Sequence, residues 1–158
     1  MTILADNTVL SNFAHIRRNE LIQRAFIKEV ITTEHVFQEL EIGVRIGRLP
    51  SCNWKWLKRI KLTSPEETQF GHLSAHLGKG EASCLAVAVL RKYKLATDDK
   101  DIRQWAKRLK IPHTGTLGIL AVLVKMEVIT LTDGNNCLRQ MIDTGYHSPI
   151  TELDSLIK

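Results

Sequence analysis

The sequence predicts an α/β domain with a mainly parallel sheet. Short apolar runs alternate with amphipathic stretches of helical period, the order that builds such a sheet with helices on its faces. At 158 residues the chain has room for one domain and one core. No tandem repeat, low-complexity tract or Gly/Ser linker divides it, so residues 1–158 are read as a single domain with its core over about 1–131.

Five runs read as strands: MTILA (1–5), VIT (30–32), RIKLT (59–63), KLAT (94–97) and IPHT (111–114), the last the weakest of them. Helical patterns lie between them at roughly 8–27, with a break near Arg17–Asn19, then 33–46, 52–58, 66–76, 80–92, 101–109 and 117–126. In SPEE (64–67), Ser64 is the expected N-cap, Pro65 the first helical residue, and Glu67 the far half of a capping box, which makes Glu66 and Glu67 structural. Thr33 and Thr116 are further expected N-caps. TLTDGNN (130–136) reads as a turn served by Asp133, leading into a peripheral helical tail over 132–158.

Composition narrows the function classes. No apolar run approaches the ~18 residues of a membrane-spanning helix, and MTILADNTVL lacks the basic start and long apolar stretch of a signal peptide. Cys52, Cys84 and Cys137 are odd in number and scattered, which argues against a disulfide framework or a structural zinc site and makes a reducing cytoplasm the expected location. A net charge of +5 is a modest hint of a polyanionic partner.

Against that basic background stands LATDDKD (95–101), with three aspartates in four positions after an apolar run. In an open parallel sheet, ligands bind beyond the carboxyl ends of the strands. Asp6 ends the first strand, Asp98 and Asp99 end KLAT, Glu81 opens the helix after LGKG, and Glu39 lies late in the helix TEHVFQEL. Singly, Asp6 and Asp98 suit helix caps, and Glu81 gains from a helix dipole; Glu39 gains nothing so late in its helix. Gathered together, carboxylates about 5 Å apart repel by roughly 3 kcal/mol per pair at an effective dielectric near 20. Either these acids lie apart or a divalent cation sits among them, and oxygen-only ligands favour Mg²⁺ or Mn²⁺.

The stretches LADNTVLSNFAHI, ITTEHVFQEL, LGKGEASCLAVA and LATDDKDIRQWAKRLKIPHTGTLGIL, in that order over residues 1–131, resemble the PIN-domain nucleases, in particular a VapC-like toxin branch. The resemblance implies a three-layer α/β/α fold and an acidic Mg²⁺ or Mn²⁺ site that cleaves RNA. By position it makes Asp6, Glu39, Glu81 and Asp99 the catalytic acids, the T-x-D spacing from Thr97 selecting Asp99 over Asp98. Asp98 and Asp101 are candidate metal ligands or caps of the next helix. Asn7 and Thr8 fall where the family carries small polar residues that hold water or phosphate. Glu81 stands where many relatives have Asp, and Glu127 where a glycine is expected.

The activity so implied is a metal-dependent endoribonuclease using a metal-activated water, the toxin of a type II toxin–antitoxin pair, with RNA (tRNA among the candidates) and a cognate antitoxin as partners and a homodimer as the assembly. Arg103 and Lys107, at i and i+4, are candidate substrate contacts. CNWKWLKRIKL (52–62) offers tryptophans among cations, suited to bases and phosphates or to inward packing on a helix. His72 and His76 lack an HExxH context, no GxSxG elbow is present, and no GK[ST] follows Gly78 and Gly80. Two other classes remain: a non-catalytic PIN-like module binding RNA or protein, and a phosphoacceptor domain, which would want its acidic pair early rather than late.

Overall fold

The computed structural model describes residues 1–157. Its centre is a sheet of five parallel strands in the order β3-β2-β1-β4-β5. These are β1 (Ile3–Ala5), β2 (Val30–Thr33), β3 (Lys58–Ile60), β4 (Lys94–Ala96) and β5 (His113–Thr114). Each expected strand forms. The central ones are buried along their whole length, as strands covered on both faces must be.

Eight helices connect and cover the sheet: α1 (Asn7–His15), α2 (Glu20–Arg24), α3 (Glu34–Arg45), α4 (Ser64–Leu73), α5 (Lys79–Arg91), α6 (Lys100–Arg108), α7 (Thr116–Lys125) and α8 (Leu131–Asp143). Helices α3, α4 and α5 pack on one another, and α5 lies against β1, β2 and β4. Helices α1, α2, α7 and α8 form a second connected group, completing a three-layer α/β/α architecture. None of the described helices is long and apolar enough to cross a membrane.

Helix α5 sets the spacing of the layers. Ala82 through Ala88 are all buried, and most are small, so the helix backbone lies close to the strands. Its buried polar residue is paired: Ser83 Oγ donates to Gly80 O at 2.7 Å and lies 2.7 Å from Thr33 Oγ1. Cys84 is fully buried, as its apolar run implied.

Several local expectations are corrected. Residues 52–57 form a loop rather than a helix, because Trp54, Trp56 and Leu57 pack on the core without a continuous helical face. The capping box of α4 lies one residue earlier: Thr63 is the N-cap and its N–H donates to Glu66 Oε1 at 2.8 Å. Glu66 is structural, held also by Arg91 through contacts of 2.7 and 2.9 Å, whereas Glu67 is exposed. Gly115, not Thr116, is the N-cap of α7, while Thr33 caps α3 as expected. Residues 130–136 already belong to α8, with Thr130 as cap and Asp133 paired to Arg18. Nor is this segment peripheral: Cys137, Leu138, Met141 and Leu153 are all buried.

Glu127 stands at a left-handed position, φ 59°, where the chain stops α7 by hydrogen bonds from Glu127 N to Val124 O and from Val128 N to Leu123 O. That geometry strains a residue with a Cβ, and a negative charge at a helix C-terminus opposes the dipole. Replacing Glu127 by Gly should stabilise the fold by about 1 kcal/mol, read as a higher midpoint in urea with an unchanged slope. A lower midpoint would show that Glu127 makes a compensating contact.

Candidate functional site

The strand order reverses between β1 and β4: the chain runs outward to β2 and β3 on one side and to β5 on the other. A crevice opens at such a point, beyond the carboxyl ends of the two strands. Asp6 follows β1 and Asp98 and Asp99 follow β4, so both meet there.

Asp6 is 2% exposed and caps α1. Its Oδ1 accepts from Thr8 N (3.0 Å), Thr8 Oγ1 (2.6 Å) and Val9 N (3.3 Å), and its Oδ2 accepts from Thr97 Oγ1 at 2.5 Å. Despite these donors, burial pushes its pKa up to about 7, and the charge of Asp98 adds to the rise. Thr97 Oγ1 in turn accepts from Asp99 N at 3.1 Å, so one hydroxyl joins both acids.

Asp99, not Asp98 or Asp101, caps α6, its Oδ1 accepting from Ile102 N at 3.0 Å. Among the described residues its Oδ2 has no hydrogen-bond partner. Asp98 is committed elsewhere. It accepts from Thr116 N at 2.8 Å, from the Thr116 hydroxyl, from Asn12 Nδ2 at 2.9 Å and, more weakly, from Arg103 at 3.5 Å. It thereby ties the loop after β4 to α1 and to the start of α7. Asp101 is exposed in the first turn of α6.

Glu39 and Glu81 meet at the start of α5. Gly80 N donates to Glu39 Oε1 at 3.0 Å, and a Cβ at position 80 would collide with the Glu39 carboxylate. An amide left without an intrahelical partner at a helix N-terminus thus holds a carboxylate from the middle of α3. Burial raises the pKa of Glu39, while the Gly80 amide and Asn7 act against the rise. Glu81 turns back toward Gly78; burial raises its pKa, followed by the charges of Asp99, Glu39 and Asp101. These carboxylates therefore sense one another across the crevice.

The basic candidates divide. Arg103 Nε donates to Thr97 O at 3.1 Å, so its guanidinium helps to fix the loop that bears the acids, and Lys107 is exposed further along α6. The Thr8 hydroxyl bridges Asp6 and the backbone of Asp98 (2.8 Å), and Asn7 Oδ1 accepts from Ser11 at 2.8 Å. Trp54 and Trp56 pack on the core with their rings 5.8 Å apart. His72 and His76 are both exposed on or after α4. Sequence reasoning missed Asn12, whose signal was its place one turn beyond Thr8, and Gly80, whose signal was its place beside Glu81.

The donor set suits a hard divalent cation. It is oxygen-only, its carboxylates are raised by burial and mutual repulsion, and among the described residues Asp99 Oδ2 has no hydrogen-bond partner. Among the described residues no three His, Cys, Asp or Glu side chains converge closely enough to enclose an ion alone. An ion held here would take one or two protein carboxylates and keep several waters.

A family model described as a PIN domain matches residues 2–158. No curated protein matches the sequence. Since the match runs through β1, β4 and every acid at their shared crevice, the chain belongs to the PIN-domain family, whose members are nucleases in general.

Proposed function

We propose that the chain is a metal-dependent endoribonuclease and the toxin of a type II toxin–antitoxin pair. The observation that carries the nuclease reading is Asp6, a nearly fully buried carboxylate at the strand-order reversal, joined through Thr97 to Asp99. A fold that buries a carboxylate at such cost is using it for chemistry. Asp6 and Asp99 are assigned as the carboxylates that would hold Mg²⁺ or Mn²⁺, with Glu81 reaching it through water. When bound, the cation supplies Lewis acidity toward water and the scissile phosphate. Glu39, raised by burial and pinned through Oε1, is assigned the proton of the attacking water at Oε2. Thr97 and the N-terminus of α6 keep Asp6 and Asp99 oriented, and Asp98 fixes their loop rather than the ion.

The partner assignments rest on separate grounds. RNA suits an acidic centre within a chain of net charge +5. An antitoxin suits the groove lined by Phe37, Leu40, Val44 and Trp54, and Ile42 and Ile46, 48% and 57% exposed, add apolar surface elsewhere along α3 and at its C-cap. A cytoplasmic location is the reading that an odd number of scattered cysteines supports, and a homodimer rests on the resemblance alone. One observation favours a second reading, a non-catalytic PIN-like module: no three metal-ligating side chains converge among the described residues.

Incubating the purified protein with end-labelled tRNA or mixed-sequence RNA in Mg²⁺, Mn²⁺ or EDTA separates the two. Metal-dependent cuts leaving 5′-phosphate and 3′-hydroxyl ends are expected, lost by at least about a hundredfold in folded Asp6→Asn and Asp99→Asn. Retained cleavage in both variants, or 2′,3′-cyclic phosphate ends, would refute the mechanism; a folded, metal-bound protein that cuts none of these RNAs supports the module.

A stability test addresses Asp6 itself. Its folded pKa is about 7 against an ordinary 3.8, so between these values the folded state binds more protons than the unfolded one. Stability of metal-free protein should therefore fall as pH rises from about 4 to 7, by on the order of 4 kcal/mol, and stay low above. Asp6→Asn should melt higher than the unsubstituted protein at about pH 8, with the gap closing near pH 4. An equal offset at both pH values would show that folding does not raise the pKa of Asp6.

A further inference from the structure

Beside the acids lies a cleft of about 540 Å³, between α1, the start of α6 and the turn that follows α8. Asp98 and Asp99 form part of its wall. Its floor is the face of α1 that carries Asn7, Ser11 and His15, one helical turn apart from each other. The opposite wall is Tyr146 and His147, with Lys100 at the end nearest Asp99. Asn7, Ser11 and His15 also line a second cavity of about 270 Å³ that reaches Glu39 and Arg48, so this face of α1 borders both.

The position of Tyr146 is built into the fold. Helix α8 is anchored by buried Cys137, Leu138 and Met141 and by Asp133 on Arg18. It ends with hydrogen bonds from Gly145 N to Ile142 O and from Tyr146 N to Met141 O, around Gly145 at φ 115°. This left-handed turn brings Tyr146 back over the cleft. A Cβ at position 145 would meet nothing within 4 Å, so the glycine is required for conformation, not space. The Tyr146 hydroxyl is half-buried and pushed up to about 12 by burial and by Asp98, so the ring presents a neutral face.

We infer that this cleft is a nucleobase subsite for single-stranded RNA, in which Tyr146 stacks on a base next to the scissile phosphate while Lys100, His15 and His147 contact the adjoining phosphates. A lysine and two imidazole donors beside an acidic, metal-suited centre call for a ligand that is itself an anion, and an aromatic ring among them calls for one with a flat face; a nucleotide has both. Asn7, Ser11 and Asn12 add hydrogen-bonding groups to the lining. Imidazole N–H groups donate to phosphate oxygens in either charge state.

The inference rests on the nuclease reading, and its test keeps the two apart. Binding of short fluorescein-labelled oligoadenylate and oligouridylate is measured by anisotropy in EDTA, and cleavage separately in Mg²⁺ or Mn²⁺. Tyr146→Leu and Gly145→Ala should each weaken binding by about tenfold or more, the loss expected for one stacked base, and Tyr146→Phe should stay within about twofold. In cleavage the same variants should raise KM and leave kcat nearly unchanged. Circular dichroism melts identify any variant that has failed to fold, and Tyr146→Phe then carries the comparison with Tyr146→Ala. If the unsubstituted protein binds and cuts while Tyr146→Leu does so equally well, the subsite is overturned and the nuclease reading stands. An unsubstituted protein that neither binds nor cuts overturns both.

Discussion

The hydroxyl of Thr97 is the joint on which the crevice depends. It gives its proton to Asp6 and takes the amide of Asp99, so the ends of the two neighbouring central strands are held in one register. Asp6 is nearly fully buried, and a buried carboxylate short of donors is costly. The rest of the arrangement follows from that joint. With Asp99 fixed at the start of α6 and Asp6 at the start of α1, the crevice between those helices has a set width. Asp98, turned the other way, stitches the same loop to Asn12 and Thr116.

The acids are reconciled with one another by helix N-termini. Asp6 sits on α1, Asp99 on α6, and Glu39 on the first turn of α5, where Glu81 also lies. Each helix start offers a carboxylate roughly 0.3–1 kcal/mol and a pair of free amides. The raised pKa values of Asp6, Glu39 and Glu81 show that this compensation is incomplete. The carboxylates thus fall into two kinds. Asp98 has its oxygens engaged by protein donors, whereas Asp99 Oδ2 has none among the described residues, and that difference is why the proposed metal site uses Asp99 and not Asp98.

Much of this was legible before the structure. Period and strand length identify all five strands, and the rule that ligands gather beyond strand ends selects Asp6, Asp98 and Asp99. What the chain could not show locally were the choices made by tertiary contact. Ser64 and Thr63 are equally good caps by type, and only the reach of Glu66 to both Thr63 and Arg91 decides between them. Asp98, Asp99 and Asp101 lie within four positions of one another but point to three environments, because α6 begins between the first two and the third. Tyr146 carried no signal at all, since the turn that returns it to the crevice depends on where α8 docks.

The contacts that complete the crevice are distant in the chain. Asp6 waits 91 residues for Thr97, and Asn12 waits 104 for Thr116. A ribosome therefore releases β1, at the centre of the sheet, well before the strand that must lie beside it, and the wall formed by Tyr146 emerges later still. Such long loops make formation of the sheet slow relative to synthesis of its first half. In the interval Asp6 is a solvated, ordinary carboxylate with no neighbours to perturb it. Whatever chemistry the crevice performs is consequently withheld from the nascent chain and from the message still being read beside it, a delay set by topology alone.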